Sequence, residues 1–271
     1  MIKKGVLFTV FFLFFFYFSN GQTAITYYNL ARSKAKLQDY KGAIADFNKC
    51  LELDPTNSQA YYIRGAIKAE LQDFSGALAD LNNAIRLNPK DATFYYSRAF
   101  AKSELQDKKG AIADFDKTIE LNPQHAEAFY NRGIIKAELN EYDAALMDFN
   151  NAIKIDPANP YYYNNRGAVK VDLQDYAGAI LDYNTSIRLN PNDATTYYNR
   201  AIAKANLQDF TGAVTDYNKA ITLSPNDAKA FYNRGVAKAN LQDKTGACAD
   251  WKKAADLGYK RAIEKYKERC N

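Results

Sequence analysis

Residues 126–159, AEAFYNRGIIKAELNEYDAALMDFNNAIKIDPAN, set the pattern that the rest of the chain repeats. Their Pro157 has counterparts at Pro55, Pro89, Pro123, Pro191 and Pro225, each 34 residues from the next. A fixed period of this length is itself a fold signal, because it marks a unit that is copied rather than a single globular core. Within the unit, two apolar patterns of helical spacing are separated by a short polar turn and closed by proline, so each copy predicts a helix pair. One pair cannot bury its own apolar face, and the copies must therefore stack.

With Ala24 as position 1, three features recur in all seven copies. Position 20 is Ala43, Ala77, Ala111, Ala145, Ala179, Ala213 and Ala247. Position 4 is aromatic, at Tyr27, Tyr61, Tyr95, Phe129, Tyr163, Tyr197 and Phe231. Position 8 is small, at Ala31, Gly65, Ala99, Gly133, Gly167, Ala201 and Gly235. This pattern resembles the tetratricopeptide repeat (TPR) family over residues 24–258. Two departures stand out: Lys34 to Lys238 replace the family's tyrosine at position 11, and Gly258 replaces the last proline. The resemblance implies an all-α fold, a right-handed superhelical α-solenoid of seven helix pairs. The pairs would occupy 24–57, 58–91, 92–125, 126–159, 160–193, 194–227 and 228–261, after a short lead at 22–23. The last pair merges into a capping helix over 259–271, a charged stretch with Ala262, Ile263 and Tyr266 on one side.

Residues 1–21 read as a secretory signal peptide. Lys3 and Lys4 precede an apolar run at 6–18, too short to span a bilayer comfortably, and Ser19 and Gly21 suit a cut before Gln22. The expectation is export to the periplasm or beyond, with an N-terminal membrane anchor as the alternative. An oxidising compartment would allow Cys248 and Cys270 to bond if their backbones come close, or they remain two thiols. Cys50 stands where other copies have Ala84 or Ala152 and reads as a small core residue.

The formal charge of +5 falls to +3 without Lys3 and Lys4, leaving 34 basic against 31 acidic residues, and no basic run occurs. Nucleic acid is therefore not an expected partner. One histidine, His125, and three cysteines make no metal constellation, so neither metal nor cofactor is expected. His125 falls where other copies place a helix-capping Asn57, Asp91, Asn159, Asp193 or Asp227, and reads as a surface substitute. Nearly every carboxylate recurs at the same place in several copies, whereas catalysis needs residues that differ from their surroundings. An enzyme is not expected, and no catalytic residue is assigned.

Position 7 is Arg64, Arg98, Arg132, Arg166, Arg200 and Arg234, but Leu30 in the first copy. Position 23 is Asp in every copy, from Asp46 to Asp250. If each arginine met the aspartate of the preceding copy, the first would have nothing to meet. The expectation is thus six inter-repeat pairs: Asp46 with Arg64, Asp80 with Arg98, Asp114 with Arg132, Asp148 with Arg166, Asp182 with Arg200, and Asp216 with Arg234. The competing reading gives the aspartate to the lysine at position 11.

In the family, the first helices line the concave side, and positions 2, 5, 9, 12 and 13 face the ligand. Position 5 is Tyr28, Tyr62, Tyr96, Tyr130, Asn164, Tyr198 and Tyr232, a ladder suited either to binding or to packing between helices. Position 9 is mainly apolar, and position 13 is acidic at Glu70, Glu104, Glu138 and Asp172. Such a groove favours an extended or helical peptide with apolar anchors and positive charge. The lysine and asparagine clamp of chaperone-associated family members is missing from positions 5 and 9, so chaperone acidic tails are not expected. The resulting expectation is an exported, non-catalytic protein-interaction scaffold; the alternative is a glycan-binding surface that uses the tyrosines. Oligomeric state is left open.

Overall fold

The computed structural model describes residues 22–270. Its described residues form helices joined by short turns and contain no strand. The helices are α1 (22–36), α2 (Tyr40–Leu53), α3 (Ser58–Glu70), α4 (Phe74–Leu87), α5 (Ala92–Glu104), α6 (Lys108–Leu121), α7 (Ala126–Glu138) and α8 (Tyr142–Ile155). They continue as α9 (Pro160–Asp172), α10 (Tyr176–Leu189), α11 (Ala194–Asn206), α12 (Phe210–Leu223), α13 (Ala228–Asn240), α14 (Lys244–Asp256) and α15 (Lys260–Cys270). This is an all-α repeat solenoid. It divides into two compact units, one ending at Ala128 and the other starting at Phe129.

The helix boundaries follow from local chemistry. Asn57, Asp91, Asn159, Asp193 and Asp227 cap odd-numbered helices by accepting a backbone N–H of the first turn. Between the two helices of a pair, the chain reverses through Leu-Gln-Asp. The glutamine sits in the left-handed region, with φ of 63° at Gln72, and Asp73 N donates to Lys68 O at 2.8 Å. Asp73 then caps the next helix by accepting from Gly76 N at 2.9 Å. A Cβ on Gly76 would lie 2.1 Å from the Asp73 carboxylate, so the cap requires glycine there. The fourth copy has Glu141 and Ala144 at these places, and Glu141 makes no side-chain cap bond.

Small residues at positions 8 and 20 let the helices of a pair approach closely. Ala43, Ala77, Ala111, Ala145, Ala179, Ala213 and Ala247 are all fully buried. A Cβ on Gly65 would meet Asp80 Cβ at 3.2 Å and Ala77 O at 3.3 Å. Neighbouring pairs share cores in each unit. Ala60 and Ile67 of α3 join Ala31, Phe47 and Cys50, while Val169 of α9 joins Ala145 and Phe149. Cys50 is buried, and desolvation raises its thiol pKa.

At the C-terminal end, Gly258 adopts φ 87° and turns the chain into α15, whose Ala262 is fully buried. Cys248 of α14 and Cys270 of α15 form a disulfide with Cα atoms 5.7 Å apart. No helix among the described residues is long and apolar enough to cross a membrane. The signal peptide or anchor expected over residues 1–21 lies outside the described residues.

Candidate functional site

The charged residues at positions 7, 11 and 23 form the most regular feature of the structure, but with a different pairing from the one expected. Arg64 pairs with Asp80, Arg98 with Asp114, Arg132 with Asp148, Arg166 with Asp182, Arg200 with Asp216, and Arg234 with Asp250, at 2.5–2.6 Å. Each arginine thus meets the aspartate of its own helix pair. The inter-repeat pairs Asp46–Arg64, Asp80–Arg98, Asp114–Arg132, Asp148–Arg166, Asp182–Arg200 and Asp216–Arg234 are replaced. The reason is the close approach within a pair, which sets position 7 across from position 23. The fork is bidentate: Arg98 Nε and Nη2 donate to the two oxygens of Asp114 at 2.8 and 2.6 Å. The hydrogen bond to Asp114 raises the Arg98 pKa above the usual guanidinium value. Lysine at position 11 takes the same carboxylate, as with Lys68 and Asp80 at 2.8 Å. The arginine plane also lies over the position 4 ring, with Arg64 5.5 Å from the centre of Tyr61.

The arginine does reach the preceding repeat, though to an amide. Arg64 Nη1 donates to Asn48 Oδ1 at 2.6 Å and Arg98 Nη1 to Asn82 Oδ1 at 2.8 Å. In the second unit, Arg166, Arg200 and Arg234 donate likewise to Asn150, Asn184 and Asn218 at 2.7 Å. These amides stand at position 25. Leu30 has no such amide ahead of it among the described helices, and Asp46 is left with Lys34 at 2.6 Å. At the other end, position 25 is Lys252, which pairs with Asp256 at 3.2 Å. The presence of lysine only in the last copy was the sequence signal for this contact.

The position 5 side chains occupy an intermediate environment. In the first unit, Tyr28 lies edge-on to Phe47, Tyr62 lies 5.1 Å from Phe94, and Tyr96 packs against Phe115 and stacks on His125 at 4.6 Å. In the second unit, Tyr130 packs on Phe149 and Tyr162, Tyr198 on Tyr217, and Tyr232 on Tyr259. Asn165 and Asn233 donate to the hydroxyls of Tyr130 and Tyr198 at 3.0 and 2.9 Å, and Asn199 donates to Asn164 Oδ1 at 3.2 Å. Desolvation raises the pKa of Tyr130 and Tyr198. These residues join neighbouring pairs and present only part of their surface.

The outermost groups on the same helices are elsewhere. Glu70 and Glu104 are exposed in the first unit, and Glu138 and Asp172 in the second. Phe100 at position 9 is 47% exposed and Tyr161 at position 2 is 55% exposed. Tyr161 was not among the residues singled out; it is the only aromatic at position 2. Among the described residues, no cluster of three or more metal-binding side chains occurs.

Comparison with known proteins agrees with this architecture. The family described as "TPR repeat" matches residues 65–106, 135–174, 169–208 and 205–242, and models described as "Tetratricopeptide repeat" match 24–57, 92–125 and 115–147. No curated protein matches the chain. A TPR protein from Parabacteroides merdae is 23% identical with a TM-score of 0.68, covering 93% of this chain and 100% of that one. The C-terminal part of a TPR repeat-containing protein from Cytophaga hutchinsonii is 19% identical with a TM-score of 0.73, over 88% of this chain and 98% of that one. YrrB, described as a TPR protein with an unusual peptide-binding site, is 26% identical with a TM-score of 0.61, over 69% of this chain and 97% of its own. The chain belongs to the tetratricopeptide repeat family.

Proposed function

We propose that the protein is an exported, non-catalytic scaffold that binds an extended or helical peptide segment of a partner protein along its odd-numbered helices. The observation that carries this reading is the exposed strip of carboxylates beside apolar side chains, as at Glu70, Glu104 and Phe100 in the first unit. An apolar floor with an acidic margin suits a segment with apolar anchors and basic residues, and it repels acidic tails and nucleic acid. The relative YrrB is described by its peptide-binding site, which supports the same reading. A glycan ligand is less favoured because sugar rings need free aromatic faces, and the position 5 rings are packed against others.

The test places a photo-crosslinking residue at Phe100, on the odd-helix face, or at Met147 in α8, an exposed residue of an even-numbered helix. Peptide crosslinks at Phe100 that weaken in Glu70→Lys/Glu104→Lys support the proposal. Crosslinks confined to Met147, or capture of cell-wall polysaccharide alone, overturn it. Export is tested separately by the N-terminus of the mature chain, expected at Gln22.

A further inference from the structure

The second unit contains a cleft of about 840 Å³ between α13, α14 and α15. Trp251 lines it and is 4% exposed, with its Nε1 donating to Tyr232 O at 3.2 Å. The polar lining includes Asn240, Lys244, Lys265, Glu268 and Arg269. Glu268 is shared between Lys265 at 3.3 Å and Arg269 at 2.9 Å, and Lys244 adds a third cation to the lining. The Cys248–Cys270 disulfide ties the end of α15 to α14 beside the cleft.

The cleft stands at the end of a row whose charge changes in order. Position 13 of the odd-numbered helices in this unit reads Glu138, Asp172, Asn206 and Asn240, all exposed. Asn240 lines the cleft together with the cations Lys244, Lys265 and Arg269. The row therefore passes from carboxylates to amides and then to cations. A uniformly basic segment would meet attraction at α9 and repulsion at α15.

We infer that this cleft receives a carboxylate side chain, with an apolar neighbour against Trp251, from the acidic end of a partner segment whose basic end lies beside Glu138 and Asp172. This inference rests on the peptide-binding reading and adds a polarity to the bound segment. The apolar wall, including Val236 and Ala247, suits an aliphatic or aromatic neighbour, while Lys265, Arg269 and Lys244 complement the acid.

Trp251 is the only tryptophan in the chain, so its fluorescence reports on this cleft alone. The probes are three peptides of about ten residues, long enough to reach about 33 Å when extended. They share one apolar centre and carry lysines at one end with aspartates at the other, lysines at both ends, or aspartates at both ends. The mixed peptide is expected to bind about tenfold more tightly than the all-lysine peptide at low salt, and it alone should shift Trp251 emission. Lys265→Glu/Arg269→Glu should remove that shift and level the two affinities. Because these changes lie on the cap helix, Lys244→Glu on α14 is the second variant and should act in the same direction. Equal binding of the mixed and all-lysine peptides, tightest binding by the all-aspartate peptide, or an unchanged Trp251 signal overturns the inference. Binding by the all-lysine peptide without preference leaves the peptide-binding reading standing, whereas binding by none of the three ends both.

Discussion

The pairing of Arg98 gives a direct energetic test of which aspartate each position 7 arginine holds. Asp114 is 4% exposed and accepts from Arg98 Nε and Nη2 at 2.8 and 2.6 Å, with Lys102 Nζ at 2.7 Å. Asp114→Ala leaves two cations facing each other without their counter-ion, a loss of about 3 to 5 kcal/mol. Arg98→Met leaves Asp114 with Lys102 and keeps an apolar stem against Tyr95, so its cost should be about 2 to 3 kcal/mol. Combining the two should recover about 2 kcal/mol of coupling, because the shared charge-assisted bonds are lost only once. The same cycle between Arg98 and Asp80 should give less than about 0.5 kcal/mol, since Asp80 is held by Arg64 and Lys68. The assay is urea unfolding of the full chain followed by helical circular dichroism, with the denaturant slope checked in every variant. A larger coupling for Arg98 with Asp80 than with Asp114 would refute the own-pair geometry.

Further outcomes follow from single features. Gln72→Gly should stabilise the chain by about 1 kcal/mol, because Gln72 holds φ 63° where glycine carries no Cβ penalty; the urea midpoint should rise. Cys248→Ser/Cys270→Ser removes a link spanning 22 residues and should lower the local stability of α15 by about 3 kcal/mol, seen as faster amide exchange confined to α15 and its contacts. Burial strongly raises the phenol pKa values of Tyr183 and Tyr217, so the folded chain keeps protons that the unfolded chain releases near pH 10. Their contribution to stability is intact below about pH 10 and is lost as pH climbs towards the folded values, and Tyr183→Phe/Tyr217→Phe should flatten that alkaline decline in the urea midpoint.

Much of this architecture is legible in the residues because the repeat writes each local rule several times. The prolines give the period, Asn57 and Asp91 mark helix starts, and the alanines at position 20 mark the seam within each pair. The partner of the position 7 arginine was harder to read. Leu30 pointed to the preceding copy's aspartate, which the arginines do not take, because two acceptors at positions 23 and 25 lie close in sequence on the even-numbered helices. Only the packing assigns one to the arginine of the same pair and the other to the next. The tyrosine row posed a similar problem, since a half-buried ring has the same spacing as an exposed one. What separates them is the neighbour's amide, Asn165 against Tyr130 and Asn233 against Tyr198, a contact between modules that one repeat alone cannot reveal.

The amide at position 25 also governs how the chain could be lengthened. Residues 160–193 carry an arginine that reaches back to Asn150 and an Asn184 that accepts from Arg200, so a duplicate inserted beside them would find matching partners at both seams. A duplicate of residues 228–261 would instead bring Lys252 up against an incoming guanidinium, and growth would stop at that repulsive joint.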